Sequence, residues 1–322
     1  MSSSLETITE KLLSNSISIT ELKSTLIEYK SLLLSATSLD LNRAEHQTDI
    51  KLENGIAIGL SWAASCLDDT IRTRKFIRGT KLAIDQKLTD SKKPVHLLYA
   101  GTGPFATLIL PLLSHYSEEE LHVTLLDVNP SSIDNVSRII GVFGFENQVN
   151  EIRCADATKV HFKNASTFDI LLSETMQHAL QSELQVVITG HLINQMKEDV
   201  ILIPQSIDLE LVSFSSHEKI QIPLERMGVI MKVDKNFLRT QHPILSNWEY
   251  KKQFKLPGSS ASETEMLAIS TTIKVFGNER IEWSESGLTV PKLLALKRDF
   301  LNKEFINLKY VIDPEPRFEL EY

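Results

Sequence analysis

Thiols, basic charge and long apolar runs are all scarce in this chain. Its two cysteines, Cys66 and Cys154, stand at unrelated positions in 322 residues, which supports neither a disulfide framework nor a thiolate zinc site and fits a reducing compartment. The nine histidines are scattered without ligand spacing, so no metal is expected. No apolar run approaches the roughly 20 residues that span a bilayer. The opening Met-Ser-Ser-Ser-Leu-Glu has neither a basic leader nor an apolar segment, and the expectation is a cytoplasmic protein without a membrane partner. Lysine and arginine number 34 against 42 acids, for a formal net charge of -8. That balance argues against nucleic acid as a partner and favours attraction of cationic substrates. What is present is ordinary for a globular enzyme: 42% hydrophobic and 24% charged residues, enough to build a core for one large or two ordinary domains.

The chemistry begins at Val95-His-Leu-Leu-Tyr-Ala-Gly101-Thr-Gly103-Pro-Phe-Ala-Thr107. A short apolar run, a glycine turn and a helix-compatible stretch to Leu113 predict strand, turn and helix. Gly101 and Gly103 would let backbone approach a ligand, and the helix start would offer free N–H groups. An ordinary connection between strand and helix has the same appearance. A second strand, His122–Asp127, ends in an acid about 20 residues on, where a doubly wound fold places a ribose-binding carboxylate. A third, Glu151–Asp156, also ends in an acid, suited to an exocyclic amine. Either acid alone also reads as a helix N-cap. Pro104 and Phe105 occupy the turn where a pyrophosphate would need open backbone, which disfavours a dinucleotide. The ensemble resembles the class I methyltransferases that use S-adenosyl-L-methionine.

Two further segments narrow the resemblance. Phe168-Asp-Ile-Leu-Leu-Ser-Glu174-Thr-Met-Gln-His178-Ala-Leu-Gln-Ser-Glu183 carries two glutamates nine residues apart after a fourth strand. It resembles the double-glutamate loop of the protein arginine methyltransferases. Asp69-Thr-Ile-Arg72-Thr73 is similar to that family's D-x-V-R-T segment, whose arginine holds the donor's carboxylate. The resemblance runs from about residue 53 to 215. It implies S-adenosyl-L-methionine as cofactor, Arg72, Gly101, Gly103, Asp127 and Asp156 as its ligands, Glu174 and Glu183 as catalytic acids, and a homodimer. His178, inside the loop, is a candidate to orient the acceptor or shuttle a proton, and equally a structural histidine.

The glutamates have a chemical reason independent of any family. A guanidinium stays protonated and is a poor nucleophile until one nitrogen is oriented. Two carboxylates can grip its N–H groups and leave the remaining nitrogen aimed at a methyl group. The competing reading puts Glu183 at the start of a surface helix and Glu174 on a neighbouring N–H.

The departures matter as well. Tyr99 replaces an acid at the end of the first strand, Phe105 replaces a third glycine, the Y-F-x-x-Y element before Arg72 is missing, and Thr289 is followed by Val290 where the family has T-H-W. These changes leave the donor site and put the acceptor in doubt. The expected activity is methylation of a guanidino nitrogen, favouring free arginine or a related small guanidino or amino compound over a peptide arginine. Alternatives are O- or C-methylation of a small metabolite on the same fold, methylation of a protein arginine, or a noncatalytic adenosine-ligand binder.

The expected fold class is α/β: a Rossmann-like class I methyltransferase sheet with a helical N-terminal extension and a C-terminal antiparallel β-rich, barrel-like domain. The expected divisions are a helical cap at 1–50, a donor-binding domain at 51–204, and a β-rich acceptor or oligomerisation domain at 205–322. Helical spacing spans residues 5–48, with Thr20 before Glu21 as a start. A second helical stretch, 61–88, carries Arg72; its Arg74, Lys75 and Arg78 read as a solvated face. Helix 183–197 leads to a strand at Asp199–Pro204. Turn-like Pro257-Gly-Ser-Ser-Ala-Ser separates later strands, and Pro291–Asn307 reads as a helix. Trp62, Trp248 and Trp283 read as packing.

Overall fold

The computed structural model describes residues 2–321 apart from 38, 42, 44–46, 54, 92, 216–222, 224, 245–246, 257–264 and 297–303. The chain begins with two antiparallel-packed helices, α1 (Ser2–Leu13) and α2 (Ile19–Ala36). The α2 start is Ser18, not Thr20: its hydroxyl accepts the Glu21 N–H, the usual duty of an N-cap serine. Leu22, Leu26, Tyr29 and Leu33 then fall on one buried stripe. A small hairpin, β1 (Ile50–Leu52) with β2 (Gly55–Ala57), leads to α3 (Leu60–Ser65). The expected continuous helix over 61–88 is broken there. A 3-10 turn at Cys66–Asp68 intervenes, and α4 (Thr70–Ser91) starts where the Asp69 carboxylate accepts the Arg72 N–H.

Arg74, Lys75 and Arg78 are not a solvated face. Arg74 donates to the Leu12 and Ser14 carbonyls, and Arg78 to those of Leu13 and Ser14, satisfying the free carbonyls at the end of α1. Arg78 and Lys75 also pair with the buried Glu279. The three side chains thereby fasten the N-terminal helices and the β-rich half to α4.

Five parallel strands follow: β3 (Val95–Ala100), β4 (Leu121–Asp127), β5 (Val149–Cys154), β6 (Ile170–Ser173) and β7 (Ile201–Ile203). Their spatial order is β5-β4-β3-β6-β7. Connections are α5 (Leu110–Leu113), α6 (Pro130–Phe143) and α7 (Gln185–Ile193). The near-continuous apolar runs of β3, β4 and β6 are buried on both faces, as parallel strands require. The helix expected directly after Gly103 is only α5. Residues 103–109 are turns, and Ala106 at φ 47° breaks any helix before it.

The remaining strands are antiparallel. β8 (Ser206–Ser215), β9 (Glu225–Asp234), β11 (Glu265–Phe276) and β12 (Glu279–Ile281) lie in the order β12-β11-β8-β9, and β13 (Lys292–Leu296) adds to β11. A three-stranded sheet, β10 (Glu249–Lys255), β14 (Phe305–Val311) and β15 (Arg317–Glu321), completes the half, with α8 (Lys235–Thr240) between β9 and β10. The helix expected over Pro291–Asn307 is therefore corrected: both described ends are strands, because Met266–Ile269 of β11 offers a free edge to Lys292–Leu296. Residues 297–303 and the turn at 257–262 lie outside the described residues. Among the described residues no helix is long and apolar enough to cross a membrane.

Candidate active site

The strand order reverses between β3 and β6, and ligands of open α/β sheets sit at such a reversal, beyond the carboxyl ends of the strands. The glycine turn follows β3 and Glu174 follows β6, so the topology alone brings the two sequence segments together. Between them opens a cleft lined by Arg72, Gly101, Gly103, Asp127, Asp156, Glu174 and Glu183. Seven of the eight residues singled out in the sequence converge there. The eighth, His178, lines an adjoining cavity together with Asp49, Trp62, Arg72, Glu183 and Leu288. Arg72 and Glu183 border both spaces and, with Ile58 and Cys66, form the wall between them.

On the sheet side, Gly101 and Gly103 adopt φ 81° and 59°, left-handed values that glycine tolerates. A Cβ on Gly101 would lie 2.3 Å from Thr175 Cγ2, so this turn and the loop after β6 touch backbone to side chain. Asp127 accepts N–H groups from Gly103 (2.9 Å) and Asn129 (2.8 Å), fixing the shape of the turn. Burial raises the Asp127 carboxyl above its ordinary value, against the pull of those N–H donors. Asp156 opens a turn and does not cap a helix, the alternative its position suggested: its Oδ1 accepts from Thr158 N and Oγ1. It lines the cleft all the same.

Glu174 receives Arg72 Nη2 through its Oε2, while its Oε1 is buried without a protein partner. Glu183 is 8% exposed and stands ahead of α7 rather than on a surface helix. Burial raises its carboxyl above the ordinary glutamate value, opposed by the Arg72 charge and the Gln177 side chain and reinforced by Asp49. The loop between the two acids holds three non-glycine residues at positive φ: Ala179 (55°), Leu180 (54°) and Ser182 (64°). Such conformations cost on the order of 1–3 kcal/mol each and persist only where surroundings impose them. Those surroundings come from distant chain: Thr271 Oγ1 accepts Ala179 N, Tyr310 Oη donates to the Leu180 carbonyl at 2.6 Å, and the Pro316 carbonyl accepts Ser182 N.

His178 is half-buried, and burial followed by the nearby Lys292 lowers its pKa below the ordinary histidine value, which favours the neutral ring. Its Nε2 lies 2.9 Å from Gln181 Nε2.

Several positioning residues were not singled out in the sequence. Gln185 Oε1 accepts both Thr175 N and Thr175 Oγ1, and its amide donates to the Ser173 carbonyl, pinning the strand end that carries Glu174. Asp69 accepts Arg72 N with one oxygen and Ser286 Oγ (2.6 Å) and Gly287 N with the other. Gly287 and Leu288, just ahead of the Thr289-Val290 pair, line the cavity, and Ser286 and Gly287 grip the start of α4. Tyr29 of α2 donates to the Thr107 carbonyl at 3.0 Å, so the N-terminal helices support the back of the glycine turn. Among the described residues no group of three or more histidines, cysteines, aspartates or glutamates is arranged to hold a metal ion.

The dependence of the glutamate loop on Tyr310 is open to measurement. Tyr310→Phe removes one buried hydrogen bond, worth about 1 kcal/mol, and chemical denaturation should show that loss. Unchanged stability would mean that the Leu180 carbonyl finds another donor and that Tyr310 does not hold the loop.

No protein-family model and no curated protein sequence matches the chain. Solved structures do. The Trypanosoma brucei PRMT1 enzyme-prozyme heterotetrameric complex with AdoHcy matches at 14% identity over 80% of this chain and 90% of that chain, with a TM-score of 0.55. PRMT6 matches at 10% identity over 82% of this chain and 98% of that chain, also at 0.55. At these identities the likeness is one of fold: a Rossmann-like sheet with a C-terminal antiparallel β-rich half, arranged as in the PRMT structures.

Proposed function

We propose that the chain is an S-adenosyl-L-methionine-dependent N-methyltransferase acting on a guanidino group, with free arginine or a related small guanidino compound as the favoured acceptor. The observation that carries this reading is the shared wall: Arg72 and Glu183 border two adjoining cavities, with Glu174 on one side and His178 on the other.

The residues of the cleft between the loops after β3 and β6 fit the donor. The left-handed glycine turn leaves backbone accessible, since a Cβ on Gly103 would meet only Ala63, at 3.5 Å. Asp127 and Asp156 offer carboxylates to a ribose and an adenine amine, and Arg72 offers a cation to the methionine carboxylate. When bound, the donor supplies a methyl group activated by its sulfonium. The protein's part is positioning and charge. Glu183 and the unpartnered Oε1 of Glu174 take guanidinium N–H groups, which holds one nitrogen toward the shared wall. Neutral His178, whose Nε2 accepts the Gln181 amide, has its Nδ1–H left to donate at the cavity mouth. The preference for a small acceptor is supported by Gly287 and Leu288, which stand at that mouth in a segment tied to Asp69. The assembly we propose is a homodimer in the cytoplasm.

Calorimetry with AdoHcy tests the donor site, and mass spectrometry with a labelled donor and a panel of arginine, guanidino acids, amines and Arg-rich peptides tests the acceptor. Saturable AdoHcy binding and label on a small guanidino compound are expected. Absence of AdoHcy binding overturns the reading, and label confined to peptides overturns the small-acceptor preference. The pH profile should also be displaced. Glu183 must be ionised to hold a guanidinium, and burial raises its pKa, so kcat/KM should fall with acidification at a higher pH than an ordinary glutamate would give. An acidic limb at or below the usual glutamate value of about 4.3 would contradict this.

A further inference from the structure

Trp62 reads in the sequence as packing, yet it is 63% exposed and lines the cavity that holds His178. Trp248 and Trp283 do pack: the first stacks on Tyr250, and both are partly buried against the core. Trp62 lies on α3, which is held in place from two sides. Gly59, the N-cap of α3, donates its N–H to Asp49 Oδ1 at 2.8 Å, and Ser61 Oγ donates to the Leu41 carbonyl at 2.7 Å. The same bond therefore sets both Asp49 and the turn that presents the indole. Asp49 is exposed, lines the same cavity, and is near enough to Glu183 to raise its pKa.

An aromatic face and a solvent-facing carboxylate at one mouth, with a buried carboxylate behind, form an arrangement that attracts organic cations. Asp69 adds little to it, because both its oxygens are already engaged by Arg72 N, Ser286 Oγ and Gly287 N. Arg72 is drawn toward Glu174, on the far side of the shared wall. The mouth itself thus presents Trp62 and Asp49.

We propose that Trp62 and Asp49 form an outer recognition element for acceptors that carry a second positive charge beyond the guanidinium, such as an amine on the same short chain. This inference rests on the reading of the His178 cavity as the acceptor side. Glu183 takes the guanidinium, the indole covers the aliphatic link, and Asp49 meets the second cation. Neither residue lines the donor cleft.

The full-length protein saturated with AdoHcy is titrated with agmatine, which has a guanidinium and an amine, and with butylguanidine, which lacks the amine. Binding is followed by calorimetry and by tryptophan emission, to which the exposed Trp62 should respond most. Agmatine should bind more tightly than butylguanidine. Trp62→Ala should weaken both by about five- to thirtyfold, whereas Trp62→Phe should retain much of the affinity. Asp49→Asn should weaken agmatine alone, by about two- to fivefold. AdoHcy affinity should be unchanged in all three variants, which also reports that they are folded. Equal affinity for the two ligands, or Trp62→Ala binding like the parent, overturns the outer element while leaving the transfer reading standing. Failure of the parent to bind AdoHcy overturns both.

Discussion

Glu183→Gln should reduce methyl transfer by at least about a thousandfold while leaving the fold as stable as before or more so. The two halves of that expectation come from one fact, the burial of an acid. A carboxylate held at 8% exposure is disfavoured as an anion, and burial raises its pKa. For an acid whose folded pKa lies above its unfolded value, ionisation at neutral pH opposes folding, so an uncharged amide of the same shape relieves the molecule. The relief is present above the folded pKa and vanishes below the unfolded one. A residue kept solely for packing would show no reason to retain that charge. Its loss should fall on the reaction, because an amide grips a guanidinium far more weakly than a carboxylate does.

Glu174→Gln should behave differently. It strips Arg72 of its carboxylate partner where both side chains are largely buried, and an uncompensated buried charge costs about 3 kcal/mol or more. Turnover, stability and AdoHcy affinity should all drop. Denaturation curves, AdoHcy calorimetry and transfer rates on the two variants separate the cases. A Glu183→Gln variant that keeps near-normal rate on its best acceptor would end the proposal that this acid acts on the guanidinium.

The parts of the site that the sequence disclosed share a physical cause. Parallel strands buried on both faces appear as short apolar runs, and a functional residue at a strand end is the polar residue that stops the run. Gly101, Asp127 and Ser173–Glu174 were legible in this way, whereas Asp156 follows the largely exposed edge strand β5 and was read from its place two residues past that strand. What was not legible depends on residues distant in the chain. Nothing near Ser286 marks it as the partner of Asp69, 217 positions away. Nothing near Ala179–Ser182 announces positive φ, because Thr271, Tyr310 and Pro316 impose it. Arg74 and Arg78 looked like a wet helical face because the carbonyls they bind belong to the end of α1. Leu293, Leu294 and Leu296 fit a helix or a strand equally well, and the free edge of β11 decided between them.

Gly101→Ala carries the other large expected effect, a loss of AdoHcy affinity of at least about a hundredfold together with about 2–4 kcal/mol of stability. Two penalties combine. The backbone sits at φ 81°, and the new methyl would lie 2.3 Å from Thr175 Cγ2. Thr175 has little freedom to retreat, since its N–H and hydroxyl both bond Gln185 Oε1, at 2.9 and 2.8 Å. Moving it drags the adjacent Glu174, and with it Arg72. Gly144→Ala isolates the backbone term. That glycine ends α6 at φ 78° with nothing within 4 Å of the added Cβ. It should lose only about 1 kcal/mol and bind AdoHcy as the parent does. If Gly101→Ala bound AdoHcy normally at a temperature where it is folded, the close packing of the two loops would be irrelevant to the donor. The turn would then be the ordinary strand-to-helix connection that its sequence alone allows. A collapse of binding in Gly101→Ala, with binding intact in Gly144→Ala, would tie the donor site to the contact between the loops after β3 and β6.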